Sequence, residues 1–183
     1  MPLPKETLYT ADYIEALPDG ERAELIDGRL YMMSAPTPMH QLLIAELSRT
    51  IGNYIHEKGG PCRVFPSPFA VYPGGMTDIY NYVEPDISII CDPEKWANGR
   101  GCDGAPDWII EVASPSTRSR DYLYKLAKYR ETGVREYWIV NPDSRTVVVF
   151  DFENEEGSNT WHFTDDIPVN IYPGFSINID SLL

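Results

Sequence analysis

The segment DWIIEVASPSTRSRDYLYKLAKYRETGVREYWIVNP, residues 107–142, sets an acidic side chain, Glu111, inside an apolar run and follows it closely with Arg118, Arg120 and Lys125. The β-branched and aromatic content of DWIIEVAS marks a strand. Pro115, Ser116 and Thr117 supply helix-start chemistry, which predicts a helix from about Ser116 to Thr132, ended by Gly133. EYWIVNP then reads as a second strand, turning through Pro142-Asp143-Ser144 into a third, TVVVFDF.

Working outward, ADYIEALP reads as a short helix closed by Pro18, and AELIDGRLYMMS as a hairpin turned at Asp27-Gly28. Leu43, Ile44, Leu47, Ile51, Tyr54 and Ile55 recur at helical spacing between Thr37 and Lys58, and Gly59-Gly60 stops that helix. CRVFPSPFAVYP and YVEPDISIICD have strand character, separated by the loop GGMTDIYN. The tail, with TWHFT and FSINIDSLL, predicts two short edge elements around Pro168 and Pro173. With no internal repeat, low-complexity segment or interdomain linker, residues 1–183 read as one α/β domain. Its architecture is a central mixed β-sheet flanked by helices, with an N-terminal β-hairpin.

Composition narrows the function classes. The formal charge is −13, from 28 acidic and 15 basic side chains. This argues against tight, sequence-independent gripping of phosphates, which normally needs an excess of Lys and Arg. The charge is patterned all the same: six of the 15 basic residues fall between Glu111 and Tyr137. No apolar run approaches the roughly 18 residues of a membrane span, and the N-terminus lacks a secretory pattern, so a soluble cytoplasmic protein is expected. Cys62, Cys91 and Cys102 are odd in number and lack CxxC spacing, which predicts buried or incidental thiols rather than a disulfide framework or a zinc site. Trp96, Trp108, Trp138 and Trp161 read as core or edge packing.

Asp86 opens ISII and Glu111 interrupts WIIEVA. Carboxylates on central strands are costly to bury unless a metal or a strong hydrogen-bond donor stabilises the charge. Two of them on neighbouring strands point to a hard divalent cation; capping of strand ends or pairing with arginine is the alternative. A helix that folds back along the sheet adds a geometric argument. The strand advances ~10 Å from Glu111 to Ser114, and the helix returns ~13 Å from Ser116 to Lys125, so Lys125 comes to the level of Glu111. On a helical projection Tyr122, Leu126 and Tyr129 mark the buried face, Lys125 its flank, and Lys128 the opposite side. The competing reading of Lys125 is a surface i,i+4 pair with Asp121.

The ordered blocks AELIDGRLYMMSAPTPMHQLLIAEL, VEPDISII and GAPDWIIEVASPSTRSRDYLYKLAKYRETGVREYWIVNP resemble the Uma-two family of endonucleases, within the PD-(D/E)XK restriction-endonuclease-like superfamily. The resemblance spans about Thr7 to Tyr172. It implies metal-binding acids on adjacent central strands, which here are Asp86, after Pro85, and Glu111, with the backbone carbonyl of Val112 as a further ligand for Mg²⁺ or Mn²⁺. Ala113 stands where the superfamily usually has its lysine, and the family places a lysine on the following helix, where Lys125 fits. Glu24 matches the family's N-terminal glutamate, a metal contact or a cross-strand charge. His40 matches the histidine at the start of the long helix, a phosphate-binding or orienting group unless it only packs. The expected activity is phosphodiester hydrolysis in DNA, with Arg118 and Arg120 either holding flanking phosphates or standing as solvated charges, and a homodimer as a natural assembly. The alternatives are an inactive interaction module on the same fold and an acidic protein that binds a basic partner.

Overall fold

The apolar run around Glu111 forms a strand at the centre of a six-stranded sheet. The structure, a computed structural model, describes residues 7–114, 120–154 and 157–183 and, of Arg120 and Asp121, the backbone alone. The chain runs through α1 (Ala11–Glu15), β1 (Ala23–Ile26), β2 (Arg29–Met32), α2 (Pro38–Lys58), β3 (Arg63–Pro66), β4 (Val71–Tyr72), β5 (Ile87–Ile90), β6 (Cys102–Asp103) and β7 (Trp108–Val112). A π-helical turn (Arg120–Lys125) leads into α3 (Leu126–Thr132), β8 (Glu136–Asn141), β9 (Thr146–Asp151), β10 (Ser158–His162), β11 (Ile167–Pro168) and β12 (Ser176–Ile177).

The main sheet has the order β10-β9-β8-β7-β5-β3, and β7 and β8 are its one parallel pair. Successive side chains of a strand point to opposite faces, and both faces of β7 are covered. Trp108, Ile110 and Val112 enter the core under α2, with Leu43, Leu47 and Ile51. Ile109 and Ala113 enter the second core, with Tyr129 of α3, Tyr137 and Ile139. Burial on two sides explains why WIIEVA carries no alternating polar residues. Trp108 and Trp138 pack edge to face inside the α2 layer, as the packing reading requires.

The expected hairpin is present. Asp27 and Gly28 both have positive φ, 51° and 75°, as a two-residue primed turn demands. α2 starts at Thr37, whose side chain accepts from the His40 N–H at 3.3 Å, and stops at Gly59 in the left-handed region at φ 71°. No helix among the described residues is long and apolar enough to cross a membrane.

Four expectations need correction. CRVFPSPFAVYP does not make one strand: β3 belongs to the main sheet, whereas β4 pairs in parallel with β6. Pro66 and Pro68 remove the N–H donors that would continue the ladder. The tail forms three short strands rather than two elements. Cys62 and Cys91 are not free thiols but a disulfide. The register pairs Arg63 with Ile90, so these cysteines are the next facing residues, a proximity that a separation of 29 residues does not signal. Cys102 is a buried free thiol, as expected. Finally, the face of the helix that enters the core is rotated. Lys125 is central to it, only 2 % exposed, beside Tyr129, while Tyr122 and Leu126 are half-buried. The π winding of Arg120–Lys125 changes the phase of residues before Leu126 relative to a regular α-helical projection. The expected helix start at residues 115–117 lies outside the described residues.

Candidate active site

β5 and β7 set the two acids side by side. Ile87 faces Ile110 in their antiparallel register, so Asp86, one residue before β5, stands next to Glu111. Like charges directly opposite each other destabilise a sheet, and the surroundings of this pair are built to offset that repulsion. Lys125 Nζ donates to Glu111 Oε1 at 2.7 Å and to Glu24 Oε1 at 2.8 Å. Tyr129 OH donates to Glu111 Oε1 at 3.0 Å. Asp86 Oδ2 accepts the Val112 N–H at 2.8 Å, and His40 Nε2 lies 3.2 Å from the same oxygen. Neither acid pairs with an arginine in these contacts, and Lys125 is buried rather than on the surface; the side chain of Asp121 lies outside the described residues.

Four elements converge to make this arrangement. β1 carries Glu24, α2 carries His40 on its first turn, β7 carries Glu111, and the end of the π turn carries Lys125. Glu24 is fully buried and its Oε1 also accepts the Glu84 N–H at 3.0 Å, which fixes the hairpin against the segment leading to Asp86. A lysine withdrawn from water keeps its charge only with close anionic partners; Glu24 and Glu111 together supply them. His40, Asp86, Glu111, Val112 and Lys125 line one cavity of about 530 Å³. Arg118 lies outside the described residues, as does the side chain of Arg120, so their expected phosphate contacts have no described geometry.

The donor set suits a hard cation. Asp86 and Glu111 offer carboxylate oxygens. In an extended strand a residue's N–H and C=O project to the same side, so the carbonyl of Val112 lies on the side where its N–H meets Asp86. Among the described residues no group of three or more His, Cys, Asp or Glu is arranged to hold a metal ion.

The hydroxyl of Tyr129 is well above the ordinary tyrosine range, chiefly because it is buried and then because Glu111 is adjacent. It therefore remains a donor to Glu111 at every pH where a carboxylate needs one. A folded-state value above the unfolded one contributes stability that is full below about pH 10 and is lost as pH rises through the folded value. Tyr129→Phe is expected to cost about 1.5–3 kcal/mol at neutral pH, the worth of a hydrogen bond to a charged group. The variant should also show a shallower loss of stability above pH 10; urea midpoints from pH 7 to 11 measure both.

Several supporting residues gave no signal in the sequence. Arg22 Nε donates to Glu84 Oε2 at 2.8 Å, Arg22 Nη2 to Ser67 Oγ at 2.8 Å, and Tyr82 OH to Glu84 Oε1 at 2.8 Å. Arg22, Ser67 and Glu84 line the same cavity. The one available hint was Glu84 itself, an acid two residues before Asp86 in VEPD.

The mixed sheet, its flanking helices and its facing acids define a restriction-endonuclease-like fold. The chain belongs to the Uma2 family, described as "Putative restriction endonuclease", which it matches over residues 10–180. It shares the fold of a solved protein from Anabaena variabilis ATCC 29413, titled a "putative nuclease belonging to DUF820". The TM-score is 0.74 at 21% identity, over 94% of this chain and 96% of the other. It is also 28% identical over 142 residues to "Uncharacterized protein slr1290" of Synechocystis sp. (strain ATCC 27184 / PCC 6803 / Kazusa), covering 77% of this chain and 70% of that protein. Family membership supports a nuclease, a hydrolase of phosphodiester bonds.

Proposed function

We propose that this protein is a metal-dependent endonuclease that cleaves DNA. The observation that carries the reading is the side-by-side placement of Asp86 and Glu111, with Lys125 Nζ 2.7 Å from Glu111, in one cavity. Asp86, Glu111 and the Val112 carbonyl would hold Mg²⁺ or Mn²⁺, which when bound supplies Lewis acidity toward a phosphoryl oxygen and lowers the pKa of a water. Lys125 holds its proton at Nζ and is oriented by Glu24, so that it stabilises negative charge developing on the phosphate or positions the attacking water. His40, through Nε2, orients the Asp86 carboxylate, and Tyr129 fixes the rotamer of Glu111. The position left by Ala113 is thus served from the neighbouring helix. A homodimer would place two such sites on one duplex.

Supercoiled plasmid incubated at low salt with Mg²⁺ or Mn²⁺ tests the reading directly. Wild-type protein is expected to nick it and an identically purified Glu111→Ala variant to leave it intact. Equal nicking by both would remove Glu111 from the mechanism, and no nicking by wild type would favour the inactive interaction module.

A further inference from the structure

A second depression, of about 730 Å³, lies between α2 and β3. It continues the catalytic cavity. Ser67 lines the first and Pro66 the second. Gln41 of the first lies two helical turns before Ser48 of the second, and Gly52 and His56 follow at four-residue steps, all on one face of α2. The groove therefore leaves the site beside His40 and runs about 14 Å to Arg49 and about 24 Å to His56 along the helix, at ~1.5 Å per residue.

Its charge is opposite to that of the chain. The residues that line it include Arg49 and Arg63 and no acid, and residues 46–66 contain three of the 15 Lys and Arg against two of the 28 acids, Glu46 and Glu57. Arg63 Nη1 is held by the Gly60 and Cys62 carbonyls at 3.2 and 2.7 Å, contacts that aim the guanidinium without neutralising it. Arg49 Nε pairs with Glu46 at 3.1 Å on the exposed helix surface, a kind of pair worth little and readily exchanged for a phosphate. The floor is open: a Cβ at Gly52, Gly59 or Gly60 would meet no heavy atom within 4 Å. β3 is the last strand of the sheet, so among the described residues no neighbouring strand uses its outer backbone groups.

We infer that this groove is the track for the phosphodiester backbone of the substrate on one side of the scissile position, with Arg49, His56 and Arg63 meeting phosphates spaced along it. The ligand is thus a polynucleotide strand engaged over about seven nucleotides, taking ~3.4 Å per step along one strand, and not a mono- or dinucleotide. The inference takes its ligand from the nuclease reading, but its test does not depend on cleavage.

Binding of a fluorescein-labelled 20-nucleotide DNA, as a single strand and as a duplex, is followed by anisotropy in EDTA across a salt series. Arg49→Ala/Arg63→Ala is expected to weaken binding at least tenfold at low salt. It should also lower the slope of log affinity against log salt by about 1.4 for the single strand or about 1.8 for the duplex. Arg49→Lys/Arg63→Lys should keep the wild-type slope, and Arg130→Ala, a loss of charge elsewhere on the surface, should stay within twofold of wild type. An Ala/Ala variant with wild-type affinity and slope overturns the track even if the protein nicks plasmid, and so does a wild-type protein that binds neither DNA. Groove-dependent binding without cleavage in Mg²⁺ or Mn²⁺ keeps the track and removes the nuclease reading.

Discussion

Lys125→Ala is expected to destabilise the metal-free protein by about 3–5 kcal/mol, the usual consequence of removing one partner from a buried ion pair. For a chain of this length that is a fall in Tm of about 6–20 °C. The reason is local. Lys125 is the close cation for both Glu24 and Glu111, and Glu111 already stands beside Asp86. Without the ammonium, the interior holds carboxylates that keep the neutral donors Tyr129 OH and Glu84 N–H but lose the positive charge that offsets their desolvation. A divalent ion would occupy the same negative field, so Mg²⁺ should raise the Tm of the variant more than that of wild type. Melting curves in EDTA and in Mg²⁺ measure both effects. An unchanged Tm in EDTA would mean that the two carboxylates are stabilised by something other than this lysine. Nicking at a temperature far below both melting points separates the catalytic loss, expected to be at least about 10²-fold.

A second set of variants divides the acids by role. Asp86→Asn and Glu111→Gln are expected to lose Mn²⁺ binding in calorimetric titration, and nicking by about 10³-fold, which corresponds to ~4 kcal/mol of barrier. Glu24→Gln should bind Mn²⁺ nearly as wild type does yet nick about 10–100-fold more slowly, the range found for groups that orient those in direct contact. Its carboxylate touches Lys125 and the Glu84 N–H, whereas Asp86 and Glu111 face each other across the strands. Loss of metal affinity in Glu24→Gln equal to that in Glu111→Gln would place Glu24 among the ligands instead.

Much of this site was legible because its signals are local. Glu111 stands out as an acid in an apolar run, Asp86 as one at the mouth of another, and simple rise per residue brings Lys125 to the right height. Height and phase are different quantities, however. The π turn is invisible to a regular helical projection, which puts Lys125 on the flank of a face whose centre it occupies. Arg22 and Glu84 were illegible because their pairing spans 62 residues, and Tyr82 joins them only through Glu84, two residues further along the chain. The Cys62–Cys91 bridge failed to announce itself for a related reason: it follows from the β3–β5 register, which no spacing rule encodes. In the fold, the hairpin, α2 and the central strands followed from turn residues and periodicity, while Pro66 at the end of β3 and Pro68 beyond it diverted a predicted strand into a separate small sheet.

The two ion pairs of Lys125 span very different lengths of chain, 14 residues to Glu111 and 101 to Glu24. During synthesis at about 5–20 residues per second, the strand that carries Glu24 exists for roughly 5–20 s before its lysine has been made. Through that interval the carboxylate has the Glu84 N–H but not this ammonium to meet, so sealing it inside is less favourable than it becomes once the lysine has been made. Arrival of Lys125 makes closure of the N-terminal hairpin more favourable and, in the same event, orients the lysine toward the acids. The buried charge thus acts as a completeness check: the arrangement proposed to cut nucleic acid forms only when the chain is long enough to be whole through its central strand and the helix that follows.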